Sequence, residues 1–355
     1  MTHRSIIFIF FFLCTVSLFS QAVDTSKFKM YTKLTGHSRS VESVAFSPNG
    51  KLMASGGWDN TIHVYKADTP GFATEKFVLK GHMGGITSLF FSKDNKFLAS
   101  ASKDFSIRVY NLENGELVFS ANDHRGEATR VFVDPKSKFL MSSSLDGTLM
   151  MYEFQNATAK SRTIKYSGVI NSFVPAIDGK SLYIAADKGD IDNIDFKSMV
   201  IRSLKGHTAK VNCLELSPNG KLLASGSDDK TIIIWDLATG KILKTLKGNS
   251  WKITSVAWSS DGNYLTSTCN DGLTKVWDLN TGTQLKILNT LGKNARCAAW
   301  SPNMGFILVA SLMDATSNGA ILYATPLQKL PPAPPVKAGV KSPVNKPIVK
   351  AVKKP

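Results

Sequence analysis

The stretch HTAKVNCLELSPNGKLLASGSDDKTIIIWD, residues 207–236, sets His207, Ser225 and Asp229 within one short segment. Those residue types are the ones a base, a nucleophile and an orienting acid would use. The same stretch holds three short runs rich in Val, Ile and Leu, namely VNCLEL, LLASGS and IIIWD, parted by the turn signals SPNGK and DDKT. Apolar and β-branched runs of that length between Gly, Asn and Asp clusters read as antiparallel strands joined by tight turns. A third turn, LATGK, and a fourth run, ILKTL, complete the unit. The decision is therefore between an active site and a hydrogen-bond clasp within a strand meander.

Aligning the chain with itself decides it. The unit recurs at a period of about 42 residues. Aspartates equivalent to Asp229 stand at Asp59, Asp104, Asp146 and Asp271; Lys188 holds that place in the fourth copy and Asp314 in the seventh. A serine lies four residues earlier at Ser55, Ser100, Ser142, Ser225 and Ser267. An aromatic lies six residues later at Tyr65, Tyr110, Tyr152, Trp235 and Trp277. Histidine precedes the unit at His37, His82, His124 and His207, and Asn249 stands there in the sixth copy. A four-stranded meander cannot bury both of its faces alone, so the copies must stack on one another. The seventh copy stops after three strands, and KFKMYTKLTGH (27–37) matches the strand it lacks. A ring whose last blade is completed by the N-terminal strand accounts for that offset and leaves no open end to the stack.

With Gly206-His207, Ser225, Asp229 and Trp235-Asp236 in the fifth copy and Trp277-Asp278 in the sixth, the chain resembles the WD-repeat β-propeller family over about residues 28–327. The resemblance implies an all-β, seven-bladed propeller of four-stranded antiparallel blades. Copies four and seven depart from the pattern, with Tyr166 and Leu291 where the histidine belongs.

A nucleophile needs its base once, in a pocket. A set repeated around a ring behind a bulky aromatic donor is instead what a structural clasp requires. In such a clasp the aspartate accepts from turn N–H groups whose burial without partners would cost about 1–3 kcal/mol. The clasp residues are thus His37, Ser55 and Asp59; His82, Ser100 and Asp104; His124, Ser142 and Asp146; His207, Ser225, Asp229 and Trp235; and Ser267, Asp271 and Trp277. Of the remaining histidines, His3 lies near the N-terminus and His63 in a strand ahead of Tyr65, so no free general base is expected. Cys/His metal spacing, a phosphate-binding glycine loop and a nucleophile elbow are all lacking, so the reading is no enzyme, no cofactor and no metal. Asp187, Asp190, Asp192 and Asp195 cluster in AADKGDIDNIDF without calcium-loop spacing and read as a solvated turn and strand edge.

Residues the clasp does not need are the candidates for binding. Trp58, Lys103, Leu145, Asp228 and Asn270 immediately precede the turn aspartates. Met83, Arg125, Lys210, Trp251 and Lys252 lie between the histidine position and the inner strand. Aromatics, Met and Arg are enriched at interfaces. In the family, residues before the turn aspartate commonly contact partners, so a protein or peptide partner of acidic character is expected on that face.

The ends carry separate signals. Residues 1–22 have Arg4, an apolar run from Ile6 to Phe19 and the small-residue ending Ser20-Gln21-Ala22, which is signal-peptide architecture. Such a run rises about 21 Å as a helix, short of the ~30 Å hydrocarbon core, so no span is expected in the mature chain. The expectation is a secreted or periplasmic scaffold, with an intracellular membrane-anchored scaffold as the alternative and a propeller enzyme or ligand binder behind it. Asn156-Ala157-Thr158 would accept a glycan in a eukaryotic secretory route. Beyond the leader, Cys213, Cys269 and Cys297 form no disulfide framework and read as small core residues. Of the formal charge of +16, seven lysines sit in residues 328–355 without an acid and Arg4 in the leader, leaving +8 for the body. The expected organisation is a leader (1–22), a propeller (23–328) and an extended Pro/Lys-rich tail (329–355). The tail suits an anionic surface, with no specific nucleic acid implied.

Overall fold

The computed structural model describes residues 23–67, 73–156, 161–289, 293–312 and 319–327. Expectations for the leader, the tail, Thr158, Leu291 and Asp314 lie outside the described residues. Among the described residues, 28 strands form seven four-stranded antiparallel sheets, preceded by one 3-10 turn at Thr25–Lys27. Blades 1 to 6 span residues 41–79, 86–121, 128–165, 170–204, 211–246 and 253–289, each an uninterrupted meander. Blade 7 takes three strands from residues 293–324 and its outermost strand, Lys29–Thr35, from the other end of the chain. Lys29 pairs with Ala324 and Thr35 with Gly319, so the expected closure is what the chain adopts.

Local chemistry places the turns. In SPNGK the Ser47 hydroxyl accepts from Leu52 N–H at 2.8 Å, and the Ser217 hydroxyl accepts from Leu222 N–H at 3.0 Å. Gly50 and Gly220 supply the left-handed φ of +70° and +67° that reverses the chain. We call the face with these turns the lower face; the histidine loops and the aspartate turns form the upper face.

Successive side chains of a strand point to opposite sides of a blade, so every blade buries two surfaces. Ala224, Ile232 and Ile234 of blade 5 pack with Ile253, Val256 and Trp277 of blade 6. At the closure, Leu34, Leu308, Ala310 and Ala320 of blade 7 meet Val41, Val44 and Met53 of blade 1. Gly56 and Gly226 permit the close approach, since a Cβ there would stand 2.5 Å from Ile86 and Ile253 of the next blade.

A second set of cross-blade bonds rings the upper mouth of the central channel. Thr87, Thr129, Asn171, Asn212 and Thr254 occupy the second position of their inner strands. Each donates to a carbonyl near the start of the next blade's inner strand (Ala128, Ile170, Val211, Ile253 and Ala295) at 2.6, 2.9, 3.2, 2.8 and 2.7 Å. At the seam the equivalent residue of blade 7, Arg296, faces Glu42 of blade 1 at 3.4 Å, so an ion pair replaces the staple where the last blade meets the first.

Candidate protein-binding face

Each clasp begins with a turn that presents its aspartate back toward the histidine loop. In blade 5, His207 Nδ1 lies 2.8 Å from Asp229 Oδ2 and its Nε2 lies 2.8 Å from Ser225 Oγ, while Trp235 Nε1–H donates to Ser225 Oγ at 2.8 Å. Asp229 also accepts from the N–H groups of Thr208 and Thr231. In the units of Asp59 and Asp104 the His–Asp distances are 3.0 and 2.9 Å, and His–Ser 2.9 and 2.8 Å. In the Asp146 unit, His124 Nδ1 sits 3.0 Å from Thr148 Oγ1 and 3.5 Å from the Asp146 carboxylate, and its Nε2 is 2.8 Å from Ser142. The tyrosine copies differ from the tryptophan ones. Tyr65 and Tyr110 donate to the main-chain carbonyls of Thr35 and Lys80, where the preceding outer strand ends, and Tyr152 donates to Met150 Sδ at 2.9 Å.

Burial and hydrogen bonding fix the protonation states. Burial alone would raise the Asp59 and Asp104 carboxyls. Hydrogen bonds from His37 and Thr61, and from His82 and Ser106, outweigh it and hold both far below the ordinary range. Burial lowers His207 and His124, despite their aspartates pulling the other way. A low-pKa imidazole locked at both nitrogens is a poor proton shuttle.

Copies four, six and seven depart in distinct ways. In blade 4 Ile184 takes the serine position, fully buried, and Tyr166 donates instead to Asp192 on the third strand. Asp187 pairs with Lys210 at 2.9 Å and Asp195 caps its own turn, so the acids of that segment already have partners. In the sixth unit Trp277 Nε1–H reaches Ser267 at 2.9 Å and Ser250 Oγ–H reaches Asp271. The buried Asn249 amide, standing where the histidine belongs, has neither of its polar atoms bonded. The seventh copy's Ile321 and Tyr323 are buried in the blade 6–7 core, with Tyr323 OH donating to Asn289 O.

His37, Asp59 and His63 bring their ligand atoms within 4.8 Å, the nearest approach to a metal set among the described residues. They do not suit an ion, because both His37 nitrogens serve the clasp and His63 Nδ1 is held by Glu75 at 2.6 Å. The central channel has two acids among its lining residues, Glu42 and Glu215. Burial pushes the Glu215 carboxyl up to about 7 against the opposing pull of Arg130. Glu42 is tied to Arg296 and to Trp58, so the two do not act as a carboxylate pair. Burial likewise raises the channel thiols, Cys213 to about 12, which keeps them protonated.

Nine of the ten binding candidates separate into two groups, engaged and open. Trp58, Lys103, Lys210 and Asp228 are engaged within the ring. Trp58 Nε1–H donates to Glu42, the Lys103 ammonium lies 4.5 Å from the Trp58 ring centroid and 3.2 Å from Glu127, and Asp228 accepts from Asn212 at 2.7 Å. Met83 (86% exposed), Trp251 (60% exposed) and Leu145 stand open, as do Arg125 and Lys252. Asn270, by contrast, buries its side-chain oxygen without a partner. Sequence reasoning missed Phe105, which is 42% exposed one residue after Asp104. Its φ of +71° is a left-handed conformation that blades 1, 3, 5 and 6 give to Asn60, Gly147, Lys230 and Gly272. The signal was an aromatic at a turn position that elsewhere carries Asn, Lys or Gly.

Comparison with known proteins follows this geometry. The family model described as WD domain, G-beta repeat, matches residues 28–66, 73–111, 115–153, 198–236 and 240–278, more than half of the chain. Each matched unit holds the outer strand of one blade and three strands of the next, so the sequence repeat links neighbours. Blades 4 and 7 supply no match for their inner three strands, in line with their altered clasps. Over 39 residues the chain is 56% identical to the Nuclear distribution protein PAC1 of Candida tropicalis, covering 11% of this chain and 8% of that one. It is 55% identical over 38 residues to Protein Mut11 of Chlamydomonas reinhardtii, covering 11% and 10%. It is 49% identical over 39 residues to a Ribosome biogenesis protein BOP1 homolog of Drosophila virilis, covering 11% and 5%. The chain thus spans a tenth or less of the length of these relatives, about one repeat in each.

Proposed function

We propose that the chain, which belongs to the WD40 (G-beta repeat) family, is a non-catalytic scaffold that seats a protein or peptide partner on its upper face. The observation that carries this reading is the split among upper-face side chains. Those facing the channel mouth are consumed by intramolecular contacts, whereas Met83, Phe105, Leu145 and Trp251 expose apolar surface next to Arg125 and Lys252. Exposed Met and aromatic anchors with basic neighbours suit a partner that offers apolar side chains flanked by acids. The test is quantitative capture with wild type and with Met83→Ser/Trp251→Ala, after matching their melting temperatures. Loss of a defined partner set supports the reading; full retention contradicts it.

The signal-like composition of residues 1–22 supports reading the scaffold as secreted or periplasmic. A second reading is an intracellular scaffold held to a membrane by the same segment; the names of the relatives, which speak of nuclear distribution and ribosome biogenesis, favour it. N-terminal sequencing separates the two: a start near Val23 supports export, and an intact Met1 defeats it. The tail from residue 329 is read as an electrostatic arm for an anionic surface, tested by capture with and without it across a salt series.

A further inference from the structure

The central channel holds one cation that the ring leaves unpaired. The channel encloses about 400 Å³, and four charged side chains line it: Glu42, Arg130, Glu215 and Arg296. Glu42 and Arg296 oppose each other at the seam. Arg130 pairs with no acid among the described residues, its contacts being a hydroxyl and a main-chain carbonyl. The other six inner strands place Ser43, Ser88, Ser172, Cys213, Ser255 and Cys297 at its register, so the arginine is the one charge in that layer.

Its guanidinium is held in place on one side and open on the other. Nη1–H donates to Ser172 Oγ at 2.8 Å and to Leu214 O at 2.5 Å, which fixes the group against blades 4 and 5. Nε and Nη2 bond to nothing in the protein and are reachable from the channel. That edge presents two parallel N–H groups, the fork that matches the two oxygens of a carboxylate. Burial pushes the Glu215 carboxyl up to about 7, so near neutral pH it opposes an anion with only part of a charge. An apolar wall stands beside the fork. Phe90 of blade 2 is half-buried in the channel lining, and its ring lies 4.9 Å from that of Phe132. Phe132 follows Arg130 by two residues and so shares its side of the strand.

We propose that the channel binds a small organic monocarboxylate, its oxygens on the Nε–Nη2 edge of Arg130 and its apolar body against Phe90. This site goes beyond the upper-face reading and does not depend on it. The space is at the low end of the roughly 300–1,000 Å³ of small-molecule sites, which sets the ligand near the size of a single ring. One unpaired guanidinium matches one negative charge. A phosphate would bring more charge than Arg130 can offset and would leave Phe90 without a contact.

The test is isothermal titration of the full chain with benzoate, and with benzamide as its uncharged counterpart. Benzoate is expected to saturate a single site, and benzamide to bind about tenfold or more weakly, the loss that follows when a charged hydrogen-bond pair is removed. Arg130→Gln should weaken benzoate by a similar factor, and Arg130→Lys, which keeps the charge without the fork, several-fold. Because Arg130→Gln also gives up the contacts to Ser172 and Leu214, Phe90→Leu, which keeps them, is measured beside it and is expected to bind several-fold more weakly. Arg125→Gln on the upper face should bind like wild type. No saturable benzoate binding in the wild type, or full affinity in Arg130→Gln, overturns the site. Equal binding of benzamide, or displacement of benzoate by an equal concentration of inorganic phosphate, overturns the monocarboxylate assignment. Loss of binding in Arg125→Gln alone overturns the channel location.

Discussion

Asn249 and His207 occupy the same place in consecutive units, and the contrast measures what a clasp contributes. His207 joins Ser225 to Asp229, whereas the Asn249 amide is buried with both polar atoms unbonded. His207→Ala should therefore cost about 1–3 kcal/mol, by orphaning its buried partners, with no effect on any binding that does not need the fifth clasp. Asn249→His should do the reverse, raising stability by about 0.5–1.5 kcal/mol as the imidazole reaches Ser267 and Asp271; chemical denaturation of both variants checks the pair. The pH dependence follows from the same groups. Burial lowers His63, His124 and His207, so the unfolded chain takes up their protons first as pH falls below about 6.5. Their contribution is complete above that pH and is lost below it. The lowered Asp59, Asp104 and Asp229 contribute above about pH 4 and are lost below. A Tm series should fall in two stages on acidification, and a flat profile from pH 7 to 5 would contradict the buried-histidine account. The clasp was legible in the sequence because its spacing is local and recurs. The engagement of Trp58 was not, since Glu42 and Lys103 reach it from an inner strand and the next blade only once the ring curves.

The blade is the element, and its edges and turns carry the informative departures. Phe105 holds a left-handed φ where neighbouring blades place Gly, Asn or Lys, a conformation that costs an aromatic residue about 1–2 kcal/mol. Phe105→Gly is expected to raise stability by up to about 1 kcal/mol and to weaken partner capture. A variant that loses stability and keeps its partners would remove Phe105 from the binding face. The closing strand Lys29–Thr35 was readable because the seventh copy visibly lacked a strand and the chain visibly began with one. A chain beginning at Ser38 should lose cooperative unfolding, and a peptide spanning residues 27–37 should restore it. The channel-mouth staples were illegible beforehand, because Thr and Asn in a strand interior look like ordinary solvent-facing positions until the next blade's carbonyl arrives.

At the scale of the whole molecule, the unengaged side chains gather on one side of the ring. The upper face offers open Met, Phe, Leu and Trp side chains, while Val23 and Leu327 pack together on the cluster between blades 6 and 7. Fold class, blade count and closure followed from periodicity. The packing of Val23 and Leu327 on one cluster with Phe28 and Trp300 did not, since it depends on side-chain contacts that the repeat period does not set. The central claim is that the upper face receives the partner. The most direct measurement places a photo-crosslinking phenylalanine analogue at Met83, and in a parallel protein at Met199, which is exposed in the turn between the third and fourth strands of blade 4. The account predicts that one defined protein crosslinks from position 83 and is absent from position 199. Equal crosslinking from both, or crosslinking from position 199 alone, would contradict it.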